Sequence, residues 1–394
     1  MSVSVDRRRF NKGMLASAAA GAIAHAGYAP EALAQRFAYT GRNVIIVRFG
    51  GGVRRRETID PDHTYAPYMR HVLAKRATLF SNMRISSQEG IVTSHAQGTL
   101  YILTGRYDRY EDIEGMFLKE RFEPKAPTIF EYLRKTYDIP SHQTLIVNGE
   151  DRVSEDFLTF SKDHAYGVNF RSSVLSLHWF KTHVLRDKVS NGSLTGDGLA
   201  AAQKQLKELE ARNYRGAETA NQVPELQQFW QRWRLHYGDS GFKNPRGDRL
   251  LTELAVRAIR ELRPKLMMIN YQDPDYVHWG NRSHYTRAIA IIDQGLKQLV
   301  DTVEADPQYR GNTIFVIVPD CGRDSNPLMQ VPFQHHFNSR SAHEIWAMLF
   351  GPGIAQGHVV DSSVNQAGIA ATVAQLMGFA AEQAEGPALT DALL

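Results

Sequence analysis

The stretch TIFVIVPDCGRDSN, Thr313 to Asn326, decides how this chain reads. Its first six residues are apolar or β-branched, with no apolar/polar alternation. A strand of that kind is covered on both faces, which is the habit of parallel sheets flanked by helices. The run closes on Asp320, and the next residue, Cys321, is the only cysteine in the chain. In open α/β sheets ligands gather beyond the carboxyl ends of the strands. The polar residues that close each apolar run are therefore the first candidates for function.

Four other runs share the character: NVIIVRF (Asn43 to Phe49), TLIVN (Thr144 to Asn148), KLMMIN (Lys265 to Asn270) and IWAMLF (Ile345 to Phe350). Between them lie helical patterns. In HYTRAIAIIDQGLKQLVDTVEA the residues Ile289, Ile292, Leu296, Leu299 and Val303 recur at three-to-four spacing. Strands alternating with helices predict an α/β protein, a three-layer αβα sandwich with a largely parallel central sheet. The stretch from about 151 to 246 is polar and rich in Gln, Arg and Trp, and it reads as a helical insertion or cap on that sheet.

The chain has 394 residues, 43% apolar and 22% charged, as in an ordinary globular protein. A formal charge of +4 over that length points to no nucleic-acid partner. One cysteine excludes an intramolecular disulfide and a multi-cysteine metal cluster. At the start, DRRRFNK (Asp6 to Lys12) precedes an Ala- and Gly-rich apolar stretch and then ALAQ. Basic residues, apolar core and small-residue cleavage site occur in the order of an export signal of the twin-arginine type. Residues 1–34 are thus expected to be a signal peptide and 35–394 the mature domain. A periplasmic or secreted protein without a membrane span follows, since no later segment is apolar over the necessary length.

The order of the strand-closing motifs resembles the alkaline phosphatase superfamily, which includes sulfatases, nucleotide phosphodiesterases and phosphonate hydrolases. It runs Thr104-Gly105-Arg106, then Asp275-x-x-His278 after a strand, a long helix, Asp320-x-Gly322 after a strand, His335, His336 and His343, and Gly351-Pro352-Gly353-Ile354. The resemblance implies a site for two divalent ions, commonly zinc, about 4 Å apart, with a hydroxyl nucleophile at the head of a helix. Carried over by position, it implies metal ligation by Asp275, His278, Asp320 and His336, with His335 and His343 as competitors for the last. It also implies Ser94 as nucleophile, Arg106 as an anion-binding residue, and a small anionic ester as substrate. His335 and His336 are neighbours, and in an extended loop only one of them faces the site.

The departures from the pattern cluster at one place. Gly50 stands where the resemblance implies an Asp, Cys321 where it implies a His, and His95 at the nucleophile position, just after Thr93 and Ser94. His278 is one residue early, Trp279 taking the usual place. No Cys-x-Pro-x-Arg motif lies near Ser94, which excludes a formylglycine sulfatase. Cys321 reads either as a thiolate ligand or as a small buried apolar side chain. Arg54 to Arg56 read as an anion grip or as a solvated, ion-paired face. Two functions result: an exported metal-dependent hydrolase of phosphate, phosphonate or sulfate esters, or a catalytically degenerate relative kept as a binding or structural protein of the envelope.

Overall fold

A computed structural model describes residues 37–113, 121–149, 156, 158–212, 215, 223–242, 247–335 and 339–394. The expected signal peptide and His336 lie outside these. The strands are β1 (Asn43–Arg48), β2 (Ala77–Arg84), β3 (Tyr110–Asp112), β4 (Phe122–Pro124), β5 (Thr144–Asn148), β6 (Ser173–Ser176), β7 (Leu266–Asn270), β8 (Thr313–Val318), β9 (Glu344–Phe350), β10 (His358–Val360) and β11 (Val364–Asn365). The longer helices are α1 (His95–Thr104), α2 (Ile129–Thr136), α3 (Leu177–Ser190), α4 (Gly196–Ala211), α5 (Pro224–Tyr237), α6 (Asp248–Leu262), α7 (Arg282–Ala305) and α8 (Gly368–Met377).

Nine strands form one sheet in the order β10-β2-β9-β8-β1-β7-β5-β6, with β11 also on β2, while β3 and β4 make a small ribbon of their own. Residues of one strand divide between two apolar cores. From β1, Ile45 and Val47 enter one with α3, α5, α6 and α7, whereas Val44 and Ile46 enter the other with α1, α2 and α8. This is the three-layer sandwich, and it explains why the strands carry no polar face. Each fully buried Val, Ile, Leu or Phe side chain contributes roughly 1.5–3 kcal/mol.

Three sequence expectations need correction. IWAMLF reads as a parallel strand, yet β9 is antiparallel to both β8 and β2. A parallel return needs a crossover of a dozen or more residues, usually a helix. Between β8 and β9 the described residues include a single helical turn, Arg340–His343. The chain turns back at the same sheet edge, and so keeps His335 there. β2 was not anticipated, because Ser81 and Asn82 interrupt its apolar run. Finally, the described residues of the stretch 151–246, read as a helical insertion or cap, are not helical alone. They supply the sheet strand β6, parallel to β5, and α3 and α5 bury Phe180, Val184, Phe229, Trp230 and Trp233 in the core.

His178 on α3 is buried, and its Nε2 has no hydrogen-bond partner among the described residues. Burial, helped by Arg212 and Lys181, pushes its pKa down to about 4 from 6.5. The folded chain thus resists a proton that the unfolded chain takes up below 6.5. Stability is full above that pH and falls as pH drops towards about 4. Replacing His178 with Phe is expected to flatten this part of the stability-versus-pH curve, as read by denaturant midpoints between these pH values. An unchanged slope would show that His178 is not its source.

Candidate metal centre

The strand ends at one sheet edge bring four segments together. After β1 comes Gly50-Gly51-Gly52, after β7 the turn Asp273–Tyr276, after β8 Asp320-Cys321, and against them lies the head of α1. The glycines are needed for space. A Cβ on Gly51, where φ is +84°, would lie 2.6 Å from the Asp275 nitrogen, and one on Gly98 of α1 would lie 2.3 Å from the Asp320 carbonyl oxygen. Gly98 lets α1 press on the end of β8, which carries His95 to Asp320.

Asp320 is fully buried. Its Oδ1 accepts from Gly52 N at 3.2 Å and Cys321 N at 2.8 Å, and its Oδ2 from Gly51 N at 3.3 Å and His95 Nδ1 at 2.7 Å. The other His95 nitrogen, Nε2, meets Asp275 Oδ1 at 2.6 Å. The same carboxylate oxygen also takes His278 Nε2 at 3.0 Å and His335 Nε2 at 3.3 Å. Three imidazole nitrogens therefore converge on one oxygen.

Electrostatics follow from that convergence. Burial alone would strip the proton from His95, but the Asp275 and Asp320 carboxylates outweigh it and hold its pKa well above the ordinary value. Burial would raise Asp275, yet His95, His278 and His335 drive its pKa far below the usual carboxylate range. Asp320 is lowered in the same way, by His95 and then Arg48. Burial and Asp320 push the Cys321 thiol up to about 11, so it is a neutral thiol at physiological pH. The bland reading of Cys321 is the one its surroundings favour.

Arg323 organises the loops. It is fully buried and donates from Nε to Gly52 O at 2.8 Å and from Nη1 to Val277 O at 3.0 Å, with further bonds to Gly51 O and Phe333 O. One guanidinium thus ties the loops after β1 and β7 to the segment that bears His335, and its Nη2 stands 3.8 Å from Asp275 Oδ1.

The donors at Asp275 fit a divalent ion. His335 Nδ1 bonds the Thr93 carbonyl oxygen at 2.9 Å, which leaves Nε2 with a lone pair in the neutral ring. That is the usual outer support of a metal-bound imidazole. A lone pair set 3.3 Å from a carboxylate oxygen is favourable when a cation or proton lies between them. Tetrahedral bonds of about 2.0–2.1 Å to zinc give ligand spacings of about 3.3 Å. His278 Nε2 reaches the same oxygen at 3.0 Å, while the ligand atoms that lie within 4.8 Å of one another among the described residues are those of His95, Asp275 and His335, and those of His95, Asp320 and Cys321.

Asp275, His278, Asp320 and His335 are brought together at one sheet edge; His336 lies outside the described residues. Ser94 is not in the cluster. It is the N-cap of α1, accepting from Gln97 N at 3.2 Å and donating to Gln97 Oε1 at 2.9 Å. Arg106 follows the far end of α1, about 15 Å along its axis, and pairs with Asp108 at 2.9 Å and Glu385 at 2.8 Å. His343 is buried with Nδ1 3.3 Å from Ile85 O, away from the cluster. Arg54 pairs with Glu57 and Arg55 bonds Ile345 O at 2.9 Å, so these two arginines are structural. His95 entered from the sequence as the occupant of the nucleophile position. Arg323 had no signal beyond following a strand end.

Solved structures of the same architecture are known. A Vibrio parahaemolyticus protein of the alkaline phosphatase superfamily matches 91% of this chain and 72% of its own, at 14% identity and TM-score 0.52. The alkaline phosphatase PafA matches 91% of this chain and 100% of its own, at 11% identity and TM-score 0.54. The fold is that of the alkaline phosphatase superfamily. A phosphonate monoester hydrolase from Silicibacter pomeroyi, at 12% identity and TM-score 0.51, covers 89% of this chain and 75% of its own. No protein-family model and no curated protein matches the sequence. Among the described residues no helix is long and apolar enough to cross a membrane. With the alkaline phosphatase fold, the centre lies where the sheet topology places it, at the carboxyl ends of β1, β7 and β8.

Proposed function

We propose that this chain is an exported hydrolase of small phosphate, phosphonate or sulfate esters that works with one divalent ion, zinc by its donor set. The observation that carries the reading is the convergence of His278 Nε2 and His335 Nε2 on Asp275 Oδ1, with His335 Nδ1 anchored on Thr93 O. In this reading Asp275 and His335 hold the ion, and His278 turns onto it from its place beside Asp275. When bound, it supplies a Lewis acid for an ester oxygen and makes water a better nucleophile at neutral pH.

The chain's own groups do the rest. Ser94 Oγ is committed to Gln97, and both His95 nitrogens face carboxylates, so the head of α1 offers no hydroxyl for covalent attack. Water is then the attacking group. His95 keeps a positive charge between Asp275 and Asp320, a fixed dipole beside the place where anionic charge develops. Arg323 holds the three loops in register and leaves one edge 3.8 Å from Asp275. The twin-arginine motif supports export.

A second reading, a non-catalytic binding protein of the envelope, is favoured by the same His95 at the nucleophile position. Turnover decides between them. Protein loaded with zinc is expected to hydrolyse at least one of an aryl phosphate, an aryl phosphodiester, an aryl phosphonate or an aryl sulfate, and a chelator is expected to stop it. Loaded protein that turns over none of the four would sink the hydrolase and leave the binding role.

A further inference from the structure

The two-ion arrangement implied by the resemblance has a second locus, at Asp320 and Cys321. We infer that in this chain a guanidinium, that of Arg48, stands in place of the second cation, so that the centre takes one ion rather than two. The inference rests on the reading above for the first ion alone.

Arg48 is the last residue of β1 and is fully buried. It donates from Nη1 to Thr99 Oγ1 at 2.6 Å and from Nη2 to the Tyr271 carbonyl oxygen at 3.2 Å, and its Nε lies 3.9 Å from Asp320 Oδ2. These bonds fix the guanidinium beside the carboxylate that the second ion would need. No carboxylate can stand at position 50 in this structure: a Cβ there would lie 2.1 Å from the Tyr271 carbonyl oxygen and 2.9 Å from Arg48 Nε. The backbone after β7 closes the place of the expected Asp, and the Arg48 guanidinium lies beside it.

The remaining donors agree. Both oxygens of Asp320 are already taken, by three backbone N–H groups and by His95 Nδ1. Cys321 Sγ is 4.0 Å from His95 Nδ1, and its backbone nitrogen belongs to the Asp320 cradle. A divalent ion placed here would meet a fully buried guanidinium 3.9 Å from Asp320 Oδ2. Charge is balanced with no ion at this locus. The consequence is that chelation should empty the centre in a single step.

The test compares zinc uptake by titration calorimetry in the chelator-treated full chain and in a double variant, Arg48→Met with Cys321→His. Removing the guanidinium and supplying an imidazole is expected to add one ion per chain, from one to two. Equal uptake by two folded proteins would overturn the inference, as would two ions on the unaltered chain. Cobalt(II) added to the unaltered chain gives an arm that does not depend on the variant folding. No thiolate-to-metal charge-transfer absorption is expected, and its appearance would make Cys321 a ligand and end the case for Arg48. An unaltered chain that takes no ion would instead refute the centre at Asp275, while the difference between the two proteins still decides Arg48.

Discussion

Replacing Asp275 with Ala is expected to empty the centre of its ion and to lower ester hydrolysis by on the order of 10³-fold, the equivalent of about 4 kcal/mol of transition-state stabilisation. Asp275 Oδ1 is the one atom shared by His95, His278 and His335, at 2.6, 3.0 and 3.3 Å. Its removal takes away the anionic ligand and leaves three imidazoles with no common partner. Asp275→Asn keeps the volume but not the charge, and is expected to lose the ion as well. Metal analysis of both variants, beside circular dichroism to confirm folding, separates this from misfolding. A folded Asp275→Ala protein that keeps its ion and its rate would remove Asp275 from the account.

His95→Ala is expected to show the largest loss of stability. The variant removes a buried imidazolium and leaves the Asp275 and Asp320 carboxylates facing each other across the gap. Deleting one partner of a buried charged set costs about 3–5 kcal/mol. In a chain of this size that corresponds to a fall in Tm of about 5 °C. The pH sign is fixed by the directions of the shifts. His95 is raised, so its contribution is present below the ordinary histidine value and is lost as pH rises through its elevated one. Asp275 and Asp320 are lowered, so theirs is present above the ordinary carboxylate value and is lost only in strong acid. The cluster therefore contributes most in between, and the penalty of His95→Ala is expected to peak there. His95→Gln, which keeps one hydrogen bond, should lose less. Thermal melts across pH check both points. A His95→Ala protein as stable as the parent at neutral pH would show that the two carboxylates do not need the imidazolium.

The apolar runs that gave β1, β5, β7 and β8 were legible because burial on both faces leaves no other residue type acceptable along them. Direction was less legible. Nothing inside IWAMLF distinguishes a parallel from an antiparallel neighbour, since both faces are buried either way, and the answer lay in the connection before it. β6, reading SVLS, is short and half polar, and its assignment to the sheet depends on the partner β5 rather than on its own composition. Among site residues, Asp275, His278 and Asp320 were placed by the rule that function gathers at strand ends. His335 is held in the cluster by Arg323 on Phe333 O and by Gln334 on Asp324, contacts that no local pattern announces. Ser94 takes the place its local sequence gives it, because a serine before a helix caps its free N–H groups. Gly50 was a visible departure in sequence, but the Tyr271 carbonyl oxygen that closes its space and the Arg48 guanidinium beside it had no local signal.

The central claim is that one ion sits among Asp275, His278 and His335. Anomalous diffraction from zinc-loaded crystals, recorded on both sides of the zinc absorption edge, tests it directly. The account predicts a single strong peak about 2.0–2.2 Å from Asp275 Oδ1, His278 Nε2 and His335 Nε2. No peak within reach of these three atoms, or a peak between Asp320 and Cys321, would contradict it.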